Sequence, residues 1–203
     1  MRKFIAATKN KGKLKEIEEI LTGLQFEVIS MEEAGVSDEI DETGSTFEEN
    51  AVIKAKAVFD KTHEVVMADD SGLEVDYLNG APGIYSARFA GEGATDSDKN
   101  NKLLNMLADV PFEKRSARFV CAIAVVLPNG EAFTVRGTCE GFIGYKPEGS
   151  NGFGYDPLFY MPEYKMTTAQ MEPEDKHEIS HRGRALRLMV DELRKRNIQG
   201  IAQ

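Results

Sequence analysis

With 203 residues, 41% of them hydrophobic and 29% charged, the chain reads as an ordinary globular protein, long enough to bury a core without metal or disulfide staples. Its formal net charge of −9 excludes a general nucleic-acid surface, which needs clustered Lys and Arg against phosphate. The opening MRKFIAATKNKGKLK has only a short apolar run before a lysine cluster, which fits neither an export signal nor a membrane span, so the expectation is a cytoplasmic protein without a membrane partner.

No repeat, low-complexity tract or Pro/Gly/Ser linker interrupts the chain, and a single domain over 1–203 is expected. KFIAAT reads as a strand running into NKGKLKEIEEILTGL, where Leu14, Ile17, Leu21 and Leu24 recur at helical spacing and Gly23 suits the C-terminal end. FEVISM is a second strand. After an acidic stretch, STFEENAVIKAKAVFDKT predicts a helix with Thr46 and Glu49 as a capping box and Phe47, Ala51, Ala55 and Val58 on one face. EVVMA is a buried strand that ends at Asp69 and Asp70, and GLEVDYLNGAPGIYSARFA follows as strands and turns around Asn79-Gly80. DSDKNNKLLNMLADV is helical. RSARFVCAIAVVL and EAFTVRGTCEGFIGY, split by PNG, form a hairpin. SHRGRALRLMVDELRKRN closes as a helix capped by Ser180, with Leu186, Met189, Val190 and Leu193 as its apolar face. The mix predicts an α/β fold with a mixed sheet. Cys121 and Cys139 fall on the two hairpin strands, and without an export signal they are expected as buried thiols.

Four clusters carry chemistry. Lys9, Asn10, Lys11 and Lys13 stand where a strand gives way to a helix, whose free N–H groups and positive dipole end attract an anion such as phosphate; a solvated basic turn is the alternative. The acidic segments DEIDETG and MADDSG match the taste of Mg2+ for one or two carboxylates, water and substrate phosphate, with Asp41 or Glu42 from one and Asp69 and Asp70 from the other. GSNGFGYDPLF lacks the GxGxxG spacing; either Phe153 stacks on a base, or the segment is a tight turn with Phe153 in the core. His181 and Arg182 fall in the first turn of the last helix, where cations oppose the dipole, and both can donate to a carbonyl or phosphate.

Taken in order, TKNKGKLKE, TFEENAVIKAKA, ADDSGLEVDYLNGAPGIYSAR, GFGYDP and SHRGRAL resemble the inosine/xanthosine triphosphate pyrophosphatase family over essentially the whole chain. The resemblance implies a Mg2+-dependent enzyme that hydrolyses ITP, dITP and XTP to the monophosphate and pyrophosphate. It further implies an elongated, two-lobed α/β fold with the substrate in the cleft, and a homodimer. On this chain it implies that Thr8, Lys9, Asn10, Lys11, Gly12 and Lys13 hold the triphosphate. Asp70 would be general base and metal ligand, and Ser71 a substrate contact. Phe153, Gly154, Tyr155 and Asp156 would line the base pocket with Lys176, His181 and Arg182. The family's metal-binding acid is usually a glutamate two residues before the TG threonine; here Asp41 stands there and Glu42 comes next. Lys54 is left between a phosphate contact and a solvated lysine.

On this reading the adjacent Asp69 and Asp70 tolerate each other because Mg2+ and nearby lysines compensate them. His181 and Arg182 would donate to the 6-keto oxygen of hypoxanthine or xanthine and meet donor with donor at adenine. A haloacid-dehalogenase-like phosphohydrolase is disfavoured, because Ser71 and Gly72 follow Asp70 where DxDx[TV] is needed. A serine or cysteine hydrolase lacks its signature as well. A nucleotide sensor with the same pocket is the remaining rival.

Overall fold

In the computed structural model, which describes residues 2–21 and 26–196, strand β1 (Arg2–Ala6) lies between β2 (Phe26–Ser30) and β3 (Val65–Val75), parallel to both. Runs rich in Val, Ile and Ala suit strands covered on both faces. β4 (Ser116–Val126) and β5 (Ala132–Ile143) form the hairpin expected around PNG: the Leu127 N–H donates to the Glu131 carbonyl at the turn, and Ile143 N–H to the Arg115 carbonyl at the open end. β6 (Phe159–Met161) is antiparallel to β5, and β7 (Met166–Thr167) to β6. The sheet order is β2-β1-β3-β4-β5-β6-β7, a mixed sheet in an α/β fold. No helix among the described residues is long and apolar enough to cross a membrane.

The helices are α1 (Lys11–Leu21), α2 (Phe47–Thr62), α3 (Asp96–Met106), α4 (Pro173–Ile179) and α5 (His181–Lys195). Leu24 and Gly23, read as the end of the first helix, lie outside the described residues. Thr46 caps α2 by accepting from the Glu49 N–H. The reciprocal half of the expected box is displaced by one residue, because the Glu49 carboxylate is taken by the N–H and hydroxyl of Ser45. α4 is unanticipated, although Pro173 at its first position followed by Glu174 and Asp175 is a helix-start pattern.

One expectation is overturned in a way that matters for the site. The strand holding Asp69 and Asp70 does not end at Ala68 but continues to Val75, so the two acids sit in mid-strand. Successive residues of a strand point to opposite faces.

Two compact units share the chain: Met1–Asp70, Cys121–Gly137 and Arg182–Gln203 make the first, Ser71–Val120 and Thr138–His181 the second. The alternation in β1 and β3 divides the first unit's core into two clusters. Phe4, Ala6, Val65 and Met67 pack with Ile17 and Leu21 of α1 and with Leu186, Met189, Val190 and Leu193 of α5. Ile5, Ala7, Val66 and Ala68 pack with Ala51, Ala55 and Val58 of α2. The second unit has its own core, built from Leu73, Val75, Leu103, Leu107, Phe119, Ile143, Leu158 and Phe159 among others. Both cysteines are free and buried, as expected.

Candidate active site

The parity of β3 sends Asp69 toward α1 and α5, and Asp70 toward α2. Asp69 is 2% exposed. Its Oδ1 accepts from Lys13 Nζ at 2.5 Å, and its Oδ2 accepts from Arg182 Nε at 2.9 Å and from the Cys121 thiol at 2.9 Å. Arg182 is bound in turn by Glu16, itself buried on α1. Burial would raise the Asp69 carboxyl, but Arg182 and Lys13 outweigh it and hold the group well below the usual carboxylate range. Burial, with the Asp69 charge beside it, pushes the Cys121 thiol well up. The four charged groups Lys13, Asp69, Arg182 and Glu16 sum to zero, which makes so buried a network tolerable.

On the opposite face Asp70 is 5% exposed. Lys54 Nζ donates to its Oδ1 at 2.9 Å, and Asn50 Nδ2 to its Oδ2 at 3.3 Å, both from α2 and one helical turn apart. Lys54 also pairs with Glu42 Oε1 at 2.9 Å and donates to the Asp69 carbonyl at 3.0 Å. Burial raises the Asp70 pKa despite Lys54. For Lys54 burial works downward, yet Asp70 and Glu42 leave its pKa raised. Each acid therefore faces its own cation on its own side of the sheet, Lys13 and Arg182 for Asp69 and Lys54 for Asp70. The lysine part of the compensation expected from sequence is thus present, with Arg182 added to it.

Between the two acidic segments, Glu42 reaches the Asp70 group through Lys54, whereas Asp41 is exposed and forms no ion pair among the described residues. No three His, Cys, Asp or Glu residues among those described gather into a group able to hold a metal ion. Glu42 and Asp70 nonetheless share a single ammonium and carry one net negative charge between them. A two-carboxylate set fits Mg2+, which takes its other ligands from water and substrate phosphate.

At the start of α1, the Asn10 side chain accepts from the Gly12 and Lys13 N–H groups at 2.9 and 3.1 Å, and the Asn10 N–H donates to Thr8 Oγ1 at 3.1 Å. Two of the helix's first N–H groups are thus already used by its own cap, and anion binding here falls to the lysines. Lys9 Nζ reaches the Ser37 carbonyl at 2.8 Å, and Lys11 is exposed.

In the second unit the GFGYD segment is a loop of tightly held atoms. Asp156 is 3% exposed; its Oδ2 accepts from the Phe153 N–H at 2.9 Å and from Lys176 Nζ at 2.7 Å, and its Oδ1 from Thr168 Oγ1 at 2.8 Å. A Cβ on Gly152 would lie 2.1 Å from Asp156 Oδ2, and its φ of +74° also demands glycine. Lys176 Nζ stands 5.4 Å from the centre of the Phe153 ring, which is half-buried and not part of the core. The buried Tyr155 hydroxyl donates to the Ser86 carbonyl at 2.9 Å. His181 stacks on Phe119 with ring centres 4.8 Å apart. Ser71 is half-buried in β3.

With both groupings in view, the comparison with known proteins is decisive: the sequence pattern of the Ham1 family matches residues 4–192. The chain belongs to that family. A dITP/XTP pyrophosphatase of Desulforamulus reducens is 51% identical over 193 residues, covering 95% of this chain and 96% of that protein. The dITP/XTP pyrophosphatase of Clostridium perfringens is 50% identical over 200 residues, with 96% and 98% covered. Among solved structures, a HAM1 protein from Coxiella burnetii is similar with a TM-score of 0.87 at 43% identity, covering 96% of this chain and all of that one. The Staphylococcus aureus Ham1 protein gives 0.86 at 42% identity, with the same coverage.

Within this Ham1 chain, the structure brings together Lys13, Asp69 and Arg182 on one face of β3, Glu42, Lys54 and Asp70 on the other, and Phe153, Asp156 and Lys176 in the second unit. Sequence reasoning missed Asn50, Glu16, Cys121 and Thr168, which hold these residues in place. Only Asn50 left a usable signal: an asparagine inside a strong helix is an outlier of propensity.

Proposed function

We propose that this Ham1-family chain hydrolyses deaminated purine nucleoside triphosphates, ITP, dITP and XTP, to the monophosphate and pyrophosphate, and so clears damaged nucleotides from the pool. The observation that carries the reading is the Asp70 group: a buried carboxylate of raised pKa, fixed at both oxygens by Lys54 and Asn50, with Glu42 on the same ammonium. The names of the full-length relatives support it.

In this mechanism Lys9, Lys11 and Lys13 hold the phosphates of the incoming nucleotide, with Thr8, Asn10 and Gly12 shaping the turn that carries them. Asp70 takes a proton from water as its oxygen attacks the α-phosphorus. The bond from that phosphorus to the bridging oxygen breaks, and pyrophosphate departs. Lys54 and the lysines of the α1 turn stabilise the charge that develops on the leaving group. Mg2+, held by Glu42 and Asp70, would acidify the attacking water and neutralise phosphate charge when bound. Burial makes Asp70 a stronger base than an ordinary aspartate of pKa about 3.9. Asp69 keeps the place of Lys13, and Arg182 that of α5.

The second unit reads the base. The Phe153 ring supplies a stacking face, Lys176 and His181 supply donors for a 6-keto oxygen, and Ser71 contacts the nucleotide. Adenine's 6-amino group sets donor against donor, a mismatch that in favourable sites is worth about 10^4 in selectivity. Arg182 would join the base contacts only by leaving part of its ion-pair network. We place the enzyme in the cytoplasm as a homodimer forming one functional domain; the buried free thiols suit a reducing compartment, and the dimer follows the family resemblance.

A substrate panel with Mg2+ tests the reading. Pyrophosphate release from dITP and XTP well ahead of dATP and dGTP is expected. Tight binding without release would make the protein a sensor, and release of orthophosphate would place the cut elsewhere.

A further inference from the structure

The loop that reads the base is gripped by a helix to which nothing above gives a role. Helix α3 begins at Asp96 behind a complete capping box: Thr95 accepts from the Asp98 N–H, and Asp98 accepts from the Thr95 N–H at 2.9 Å. That box presets the first turn. From it, Asp96 Oδ2 accepts from the Gly154 N–H at 2.7 Å. One turn on, Asn100 Nδ2 donates to the Gly154 carbonyl at 3.0 Å. Both backbone polar groups of Gly154 are therefore consumed by α3, and the residue's φ of +63° is held from each side.

We infer that Asp96 and Asn100 are specificity-determining positioning residues, which set the place of the Phe153–Asp156 loop and through it the discrimination between purines. The inference rests on the proposed pyrophosphatase reading and deepens it. Each neighbour of Gly154 is tied as well, Phe153 and Asp156 to each other and Tyr155 to Ser86. Every residue of the loop thus has a fixed atom, and α3 supplies the two anchors at its centre. Asn100 is 5% exposed, and its amide oxygen meets no donor among the described residues. A leucine or methionine would fill that space but leave the Gly154 carbonyl without its donor, so packing alone does not explain an asparagine there. Gly154, whose backbone is fully used, contributes shape to the base site and not a hydrogen bond.

Position matters most where chemistry discriminates least. dGTP shares the 6-keto oxygen of dITP and differs by a 2-amino group, so its exclusion depends on how closely a fixed wall approaches that edge. A loop that gives by a fraction of an ångström admits it.

The test compares kcat/KM for dITP and dGTP in Asp96→Ala, Asn100→Ala, Asp96→Asn and Lys99→Ala, with thermal melts on each. In both alanine variants dGTP is expected to gain about tenfold relative to dITP. Asp96→Asn, which still offers an oxygen to the Gly154 N–H, stays within twofold of the parent ratio. Lys99→Ala, which removes only the ion pair to Asp96, does the same. A parent-like ratio in each alanine variant that folds would overturn the inference, whether or not melting points fall, because a purely structural role lowers stability without changing base choice. Asp96→Ala lies at an exposed helix start and remains informative if the buried Asn100→Ala fails to fold. Parent enzyme that releases no pyrophosphate from dITP sinks the broader reading; active parent with unchanged ratios sinks only the α3 clamp.

Discussion

Adjacent aspartates invite the assumption of a shared cation, but at the level of single residues Asp69 and Asp70 do different things. Asp69 is locked between Lys13, Arg182 and the Cys121 thiol with no oxygen to spare, while Asp70 is held by a lysine and a neutral amide and keeps a raised pKa. Two predictions separate them. Asp70→Asn preserves volume and removes the proposed base; turnover of dITP falls by about 10^3 or more while the melting point and the metal-free calorimetric nucleotide affinity hold. Near-parent turnover would remove Asp70 as the base. Asp69→Ala instead leaves Arg182 and Lys13 with an uncompensated buried charge, a loss of about 3–5 kcal/mol visible as a lower urea midpoint.

At the scale of elements, the hairpin and every helix but α4 could be read from periodicity and punctuation. The apolar faces of α2 and α5 fell where Ala51, Ala55 and Val58, and Leu186, Met189 and Leu193, place them. The extent of β3 could not. Charged residues inside a strand look like its end until their partners are known, and those partners are 16 to 113 residues away along the chain. The same limit hid Glu16 and Thr168, whose roles exist only through distant contacts. The glycines of the GFGYD segment were visible, but not the reason for them. Gly152 gives way to Asp156, and Gly152→Ala is expected to push that carboxylate off Lys176 and the Phe153 N–H. The strained φ and the collision together cost about 1–3 kcal/mol in denaturant titrations. The dITP KM is expected to rise severalfold while kcat changes little, because on the proposed reading the displaced atoms serve binding and not the cut.

For the whole molecule, the deciding question is whether metal belongs to the fold or to the reaction. In a structural metal site the apo ligands repel one another and the chain unfolds without its ion. Here Lys54 already bridges Glu42 and Asp70 at 2.9 Å each, so half of their charge is compensated before any divalent ion arrives. Chelation with EDTA should therefore leave the melting point of the substrate-free protein within about 1 °C and abolish pyrophosphate release. Added Mg2+ alone should raise the melting point only slightly, since it must displace or share an ammonium. Mg2+ with inosine monophosphate should raise it more, because a phosphate supplies the remaining ligands and the gain follows the free energy of binding to the native state. A large melting-point loss on chelation would show that the ion is structural, and that the Lys54 bridge does not hold the pair together by itself.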